Sequence, residues 1–250
     1  MLKQRRFIIS EGLFRNSGDL CPLPELLAFK KKYKFRIILD ESLSFGTLGR
    51  TGRGITEHYG VKISEIDMVT VAMDCTLGSV GGGCVGTREV VDHQRLSGSG
   101  YCFSASAPPF LFAAAVDSLE HLQAEGTAKL LPAMRANLAV VVAGLKAVPQ
   151  LALTSSDEYP MVHLALATPA GDFDSELVVI QALARECLQR GVAVVASTYD
   201  VKLMAELKST CRSLRATLRL NVSAALSAAD IKHLIKEIRE AAAAVIKTSK

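Results

Sequence analysis

Short apolar runs alternate with helical or glycine-rich stretches in the first half of the chain. Four runs have the length of strands, at residues 7–10, 36–40, 68–73 and 80–85. Between the first two runs, Pro22 suits the first turn of a helix, and lysines gather near the helix end, where cations favour the dipole. This alternation predicts an α/β layer.

The second half predicts helices packed against a small sheet. Residues 109–145 are rich in alanine and leucine with Pro132 inside, so we expect two helices that meet near residues 126–132. Beyond them we expect strands at residues 161–167, 192–196 and 216–222, a helix at 173–190 ended by Gly191, and a helix that begins near Ser227, with Asp230 in a capping box. We therefore predict a larger α/β domain over residues 1–128 and a small α+β domain over residues 129–250.

Composition and charge fit a globular chain. The 250 residues are 49% hydrophobic and 22% charged, and the net charge is +4. The densest basic stretch consists of Lys30, Lys31, Lys32, Lys34 and Arg36. It could attract anionic lipid or nucleic acid, but a solvated helix end is the favoured interpretation.

Cysteine spacing argues against a metal site or a disulfide framework. No two of the six cysteines form a CxxC pair, and no cysteine–histidine cluster has zinc spacing; the six are Cys21, Cys75, Cys84, Cys102, Cys187 and Cys211. We expect free thiols in a reducing compartment and no bound metal.

The apolar runs also bear on membranes and targeting. The longest clear run covers residues 110–116, far short of the ~20 residues that span a bilayer, so we expect no transmembrane segment in the residues given. The chain enters a predicted strand almost at once, without the features of a signal peptide. We therefore expect it to begin inside a domain.

An acidic pair followed by glycines is the first candidate for chemistry. Asp40 and Glu41 end a predicted strand, and Ser42, Leu43, Ser44 and a glycine-rich turn with Gly49, Gly52, Arg53 and Gly54 follow. A carboxylate at this edge can hold the ring nitrogen of a cofactor, but it can equally cap the next loop. Taken alone, the acidic pair is better interpreted as capping the next loop than as binding a cofactor.

The segment from Asp67 to Gly82 makes a cofactor-binding role for the acidic pair more plausible than the pair alone does. It ends in Leu77-Gly78-Ser79-Val80-Gly81-Gly82, and together with the acidic pair and the glycine turn it resembles the α-oxoamine synthase family. The resemblance implies a fold-type-I, pyridoxal-phosphate-dependent transferase, similar to aminotransferases of class I and II. It also implies that the chain holds the C-terminal part of the large domain and the small C-terminal domain.

Two departures from the family pattern fall on its chemistry. By the resemblance, Cys75 stands at the position of the Schiff-base lysine and Leu43 at that of a ring-contacting histidine. A thiol cannot replace the primary amine, and no lysine lies between Lys62 and Lys129. We therefore predict no catalytic residue in this chain and a vestigial role for Asp40. Cys75 could act as a nucleophile, but nothing nearby in sequence supplies a general base, so a small buried filler is favoured.

One branch of the family has this defect regularly, as a subunit that pairs with a lysine-bearing homologue. The resemblance implies a heterodimer that condenses L-serine with palmitoyl-CoA to 3-ketosphinganine, the first step of sphingolipid biosynthesis. Pyridoxal phosphate would be held by the partner, and small activating and regulatory membrane subunits would join the complex at the cytosolic face of the endoplasmic reticulum. Nucleic acid is not an expected partner. The alternatives are a regulatory or interaction protein that keeps the fold and an active homodimeric synthase, which the missing lysine disfavours.

The resemblance also singles out a loop and an arginine. Ser104 and Ser106 stand where relatives reach the partner's cofactor phosphate, although Ala105 replaces the phosphate-contacting threonine. These serines could instead cap the helix after Pro108, and the two interpretations stand level. Arg219 stands where relatives bind the substrate carboxylate, but a structural salt bridge is favoured here.

Relatives in this branch carry a membrane helix and the first part of the large domain upstream of the region present here. We therefore expect an N-terminally truncated chain. An exposed apolar face is expected where further strands would pack.

Overall fold

The computed structural model describes residues 6–197 and 215–246. The chain divides into two compact units, Met1–Arg15 with Leu20–Leu131 and Asn16–Asp19 with Pro132–Lys250. Of the six cysteines, Cys211 lies outside the described residues.

The first unit is built on a four-stranded sheet. Its strands are β1 (Phe7–Glu11), β2 (Arg36–Asp40), β3 (Met68–Ala72) and β4 (Gly82–Gly86), in the order β1-β2-β3-β4. The first three strands are parallel, and β4 is antiparallel to β3. Parallel neighbours bring the carboxyl ends of β1, β2 and β3 to one edge of the sheet.

Helices connect and flank these strands. They are α1 (Leu23–Tyr33), α2 (Ile55–His58), a 3₁₀ turn (Ile63–Glu65), α3 (Arg88–Ser97), α4 (Ser99–Cys102) and α5 (Pro109–His121). Helix α1 starts just after Pro22 and has three lysines in its last turn, as predicted. Its residue Leu23 is fully buried, as is Ile37 of β2.

A single long helix replaces the two helices predicted around Pro132. A π-helical segment (Leu122–Leu130) follows α5 and continues directly into α6 (Leu131–Lys146). Pro132 has no N–H to donate and its ring would crowd the carbonyl one turn earlier. The wider π-helical turns before it accommodate this without a break.

The continuity of this helix also bears on the expectation that the chain has no transmembrane segment. Pro109–Lys146 is long and apolar enough to cross a membrane by length and composition alone, although its longest clear apolar run covers only residues 110–116. A third of its most apolar window is buried within the protein. The core helix of a soluble protein passes the same test.

The second unit has an antiparallel sheet covered by helices. Strands β5 (Leu151–Leu153), β6 (Met161–Leu166), β7 (Val195–Ala196) and β8 (Leu218–Asn221) lie in the order β5-β6-β8-β7. Residues of α6, α7 (Phe173–Gln189) and α8 (Ala228–Val245) form one core with this sheet. Helix α8 begins with the predicted capping box between Ser227 and Asp230.

The outer strands of the first sheet expose apolar side chains. Among the described residues, β1 pairs only with β2, and β4 pairs only with β3. Ile9 on β1 is 74% exposed, and Val85 on β4 is also exposed. Both outer strands of the first sheet therefore carry exposed apolar side chains.

Candidate functional site

Three side chains with polar or ionisable groups lie at or just after the carboxyl ends of the three parallel strands. Arg15 lies in the loop after β1, Asp40 is the last residue of β2, and Cys75 lies in the loop after β3. Loops after the carboxyl ends of parallel strands form the usual ligand-binding edge of an α/β sheet. We refer to these three residues as the carboxyl-edge group.

Asp40 is held in one orientation at this edge. Its Oδ1 accepts the Ser42 N–H at 2.8 Å, and its Oδ2 accepts the Thr70 hydroxyl at 3.4 Å. Thr70 is the residue opposite Asp40 in the pairing of β2 with β3. The carboxylate is therefore positioned by the sheet itself, and it is only partly buried.

Cys75 is exposed, so its interpretation as a buried filler is wrong. The residue lies in the loop between β3 and β4, away from the sheet core. Its Sγ lies 3.7 Å from Nη2 of Arg15 and 3.5 Å from Oδ1 of Asp74. Arg15 was not recognised from the sequence, because its contact with Cys75 spans sixty residues.

The Cys75 thiol is a poor nucleophile. Partial desolvation raises its pKa, and the adjacent Asp74 carboxylate raises it further, although Arg15 acts in the opposite direction. The thiolate is the reactive form of cysteine, so a raised pKa keeps the group protonated and unreactive near neutral pH.

The two members of the acidic pair have different roles. Asp40 faces the carboxyl edge, whereas Glu41 is buried, with 3% of its surface exposed. The Glu41 carboxyl accepts the Ser44 hydroxyl and, at 2.9 Å, the Ile55 N–H. Successive residues at a strand end point in opposite directions, a signal that could have separated the pair in the sequence.

Burial raises the pKa of Glu41, and the hydrogen bonds from Ser44 and Ile55 offset only part of this effect. A β-carbon at Gly54, whose φ is +88°, would overlap Glu41 Oε2. The buried carboxyl and the side-chain-free Gly54 thus fix the glycine-rich turn against the end of β2.

A second carboxylate organises the same turn. Glu57 accepts the hydroxyl and N–H of Thr51 and the N–H of Arg53. Slight burial raises the pKa of Glu57, but these hydrogen bonds prevail and hold it below its usual range. Thr76, next to Cys75, donates its hydroxyl to the Phe45 carbonyl at 2.8 Å. The turn after β2 and the loop after β3 are therefore linked.

Leu43 lies half-buried inside this turn. Its aliphatic side chain offers neither an aromatic ring nor a hydrogen-bonding group. It cannot perform a histidine's stacking or proton-transfer role.

Ser104 and Ser106 are exposed and lie between α4 and α5. The Ser104 hydroxyl donates to the Gly100 carbonyl. Within the described part of the chain, neither serine has a hydrogen bond to the carboxyl-edge group. The first turn of α5 has no side-chain cap, so the alternative role of these serines as helix caps lacks a contact.

Arg219 belongs to the second unit. It lies half-buried on β8, between His163 of β6 and Val195 of β7 in the strand pairing. The first unit does not contain it. The structure therefore assigns Arg219 to the small sheet.

The described residues contain no group of three or more histidine, cysteine or acidic side chains that could hold a metal ion. The carboxyl edge offers an oriented carboxylate, a protonated thiol and a guanidinium. Because no lysine occurs between Lys62 and Lys129, the loops after β3 and β4 contain no primary amine. This set can bind and orient polar groups, but it cannot form an imine with an aldehyde.

Comparison with known sequences gives a consistent result. Residues 2–238 match the model for aminotransferase class I and II. The chain is 41% identical over 244 residues to "Long chain base biosynthesis protein 1c" of Oryza sativa subsp. japonica, covering 98% of this chain and 49% of the relative. It is 35% identical over 252 residues to "Serine palmitoyltransferase 1" of Dictyostelium discoideum, covering 98% of this chain and 51% of the relative. The chain therefore spans about half the length of the curated relatives it matches.

Solved structures show the same fold. A serine palmitoyltransferase from S. paucimobilis superposes with a TM-score of 0.80 at 24% identity, covering 97% of this chain and 56% of that one. The predicted α/β fold class and the resemblance stated from the motifs are confirmed.

Proposed function

Because the chain belongs to the aminotransferase class I and II family, we propose that it is the non-catalytic subunit of a heterodimeric serine palmitoyltransferase. The complex would condense L-serine with palmitoyl-CoA, releasing CoA and CO₂, to give 3-ketosphinganine. Its partner would be a lysine-bearing homologue. The similarity to relatives with long-chain-base and serine palmitoyltransferase names supports this reaction.

One observation carries the non-catalytic assignment. The carboxyl edge keeps an oriented Asp40 and the glycine-rich turn, yet it presents Cys75 and no lysine. The edge therefore fits the ring nitrogen of pyridoxal phosphate but not its covalent attachment, and Leu43 offers no ring to lie against it. We infer that the cofactor belongs to the partner and that Asp40 is vestigial.

In the partner's site, pyridoxal phosphate would supply an electron sink for the carbanion derived from serine. The residues of the present chain have a different task. Glu41 and Glu57 hold the glycine-rich turn, and Asp40 with Thr70 holds the end of β2. A rigid edge of this kind can form a wall beside another subunit's site.

The region around α4 and α5 is suited to contact with a partner. Phe103 is 89% exposed, Phe110 is 69% exposed, and Tyr101 is 67% exposed. Burial of large aromatic side chains is a main source of binding energy at protein interfaces. We propose that the lysine-bearing homologue covers these three residues, and we name them the aromatic face.

Ser104 and Ser106 lie within the aromatic face, between Phe103 and Phe110. We propose that their hydroxyls point toward the cofactor phosphate of the partner. The lack of a side-chain cap on α5 favours this role over the capping alternative. With alanine at position 105, Ser106 would donate directly to the phosphate, and Ser104 would do so on exchanging its hydrogen bond to the Gly100 carbonyl.

The resemblance also supports a location at the cytosolic face of the endoplasmic reticulum membrane. Small activating and regulatory membrane subunits would join the heterodimer there. These partners belong to the proposal and rest on the family resemblance.

Co-expression tests the proposal directly. The chain would be purified alone and together with a tagged lysine-bearing homologue, and each sample would be assayed for 3-ketosphinganine. We expect activity only from the pair, and its loss when Phe103→Asp disrupts the aromatic face. Val178→Asp, at an exposed position of α7, serves as the control. Stable co-purification without any gain in activity would instead support the regulatory alternative.

A further inference from the structure

A surface at the edge of the first sheet opposite the carboxyl-edge group combines exposed cations and aromatic rings. It comprises Arg6, Phe29, Lys32, Tyr33, Lys34 and Arg36, and we name it the basic aromatic surface. These residues come from the end of α1 and the beginnings of β1 and β2. The beginnings of parallel strands lie at the edge of the sheet opposite the carboxyl-edge group.

The rings of this surface are in mutual contact. Phe29 and Tyr33 lie on one side of α1 with ring centroids 6.1 Å apart, and Tyr33 lies 6.3 Å from Phe35. Phe29 and Tyr33 both remain substantially exposed. The aromatic cluster is therefore continuous and accessible to solvent.

The lysines that begin this basic stretch already have acidic partners. Lys30 pairs with Asp67 at 2.6 Å, and Lys31 pairs with Glu65 at 3.3 Å. These two ion pairs fasten the end of α1 to the segment before β3. They leave little positive charge on that side of the helix.

The other cations keep their charge available. Lys32, Lys34, Arg36 and Arg6 form no ion pair with any acid in the described ranges. The Arg36 N–H donates to the Arg6 carbonyl at 2.9 Å, so the two arginines are neighbours at the start of adjacent strands. The Lys32 ammonium lies 5.1 Å from the centre of the Tyr33 ring.

We infer that the basic aromatic surface binds the surface of an anionic lipid bilayer. Clustered lysines and arginines are attracted to the negative potential of such membranes. Aromatic rings beside cations suit the headgroup region, because the rings can contact the apolar acyl chains while the cations stay among the polar headgroups. This inference does not depend on the proposed function, because its evidence lies in different residues.

The geometry favours lipid over nucleic acid. Base stacking needs an open aromatic face, as single-strand-binding proteins present. Here Lys32 lies over the ring of Tyr33, and Phe29 and Phe35 pack against the same ring at tilted angles. The rings form one compact apolar cluster, which suits insertion among lipid headgroups.

Vesicle flotation of the full chain tests this inference. The chain would be mixed with vesicles of phosphatidylcholine alone or of phosphatidylcholine with phosphatidylserine. We expect binding only to the anionic vesicles and release at high salt, since screening weakens surface electrostatics. Equal binding to both vesicles, no binding to either, or retention only by duplex DNA or RNA would overturn the inference.

Variants can separate lipid binding from folding. Lys34 has a φ of 57°, in the left-handed region that favours glycine, so Lys34→Gly removes a charge and should not lower Tm. We expect it to weaken anionic-vesicle binding about fivefold, and Lys32→Glu with Lys34→Gly to weaken it well beyond that.

The matched control carries the same loss of charge elsewhere. Lys232 and Arg239 are exposed on α8, so Lys232→Glu with Arg239→Gly alters the net charge equally. We expect this control to retain binding to anionic vesicles. If the control variant loses as much vesicle binding as the Lys32 and Lys34 variant, the net charge of the chain alone explains the binding. The assignment of binding to the basic aromatic surface then fails.

Discussion

At the scale of single residues, Cys75 is the most informative position. The neighbouring Asp74 raises the pKa of its thiol, whereas Arg15 lowers it. Asp74→Asn should therefore increase the rate of iodoacetamide labelling at Cys75 near neutral pH, and Arg15→Gln should decrease it. Labelling resolved by peptide mass spectrometry measures both rates, and exposed Cys102 serves as the internal reference. Unchanged rates in both variants would mean that these two charges do not control the thiol.

Glu41 should make stability depend on pH in an unusual direction. Burial raises its folded-state pKa above that of the unfolded chain, so the folded protein holds the proton more tightly. The stabilisation is complete below the unfolded-state pKa and is lost as the pH rises through the folded-state pKa. Glu41→Gln should remove this loss, whereas Glu41→Ala leaves the Ile55 N–H unpaired and should cost about 2–3 kcal/mol.

Urea unfolding at a series of pH values measures this effect. The Gln variant should give a flatter profile than the parent over the window between the ordinary glutamate pKa and the raised one. Exposed Glu120 provides the control, because Glu120→Gln should run parallel to the parent. A parent that gains stability as the pH rises through this window would contradict the assignment.

Gly54 is the glycine whose replacement should be most costly in this turn. A β-carbon there would overlap the Glu41 carboxyl, and the φ of +88° is unfavourable for other residues. We expect Gly54→Ala to lower the free energy of unfolding by about 2–4 kcal/mol. Gly60 also has a positive φ, of +65°, but nothing lies within 4 Å of its β-carbon position, so Gly60→Ala should cost only about 1 kcal/mol. Equal losses in urea unfolding would show that contact with Glu41 adds nothing.

Single residues also show how far the sequence could predict the site. The acidic pair, the glycine turn and Cys75 could be found because their motifs are local. Arg15 could not, because only the parallel pairing of the strands brings it near Cys75. The exposure of Cys75 was missed as well, since a motif does not show whether its loop lies inside or outside the core.

At the scale of elements, strands and capped helices were predictable from local patterns. The observed bounds of β2 agree with the apolar run at 36–40, and α8 begins at its predicted capping box. The short strand β5 and helix α3, which has no buried residues, gave no such signal. The helix break predicted near Pro132 does not occur, because the preceding π-helical segment accommodates a proline that would break an ordinary α-helix.

The packing of α6 against α8 depends on one glycine. A β-carbon at Gly144 would lie 2.5 Å from Cδ1 of Ile235, so the Ile235 side chain of α8 packs directly onto the backbone of α6 there. Gly144→Ala should lower the free energy of unfolding by about 1–3 kcal/mol, because overpacking outweighs the gain in helix propensity.

Gly126 in the same long helix gives the matched control. The nearest atom to its β-carbon position lies 3.8 Å away, an ordinary contact distance. Gly126→Ala should therefore be neutral or stabilising by up to about 1 kcal/mol. If thermal unfolding shows both variants equally stable, close packing at Gly144 is not what the second unit requires.

At the scale of the whole molecule, the fold of a cofactor enzyme is combined with an edge that lacks the amine such enzymes need. The glycine turn, Asp40 and the linked loop at Thr76 are fixed by hydrogen bonds, so the edge is an ordered structure. The aromatic face supplies a second requirement of a subunit, a surface that a partner can bury. These two features together lead us to propose a scaffold for another chain's chemistry.

The most direct test of this claim is the location of the covalently bound cofactor in the purified pair. The complex with the lysine-bearing homologue would be treated with pyridoxal phosphate and borohydride, and peptides of both chains would be mapped by mass spectrometry. We predict a pyridoxyl-lysine in the homologue alone and none in the present chain. A specific pyridoxyl-lysine at a single site of the present chain would contradict the account.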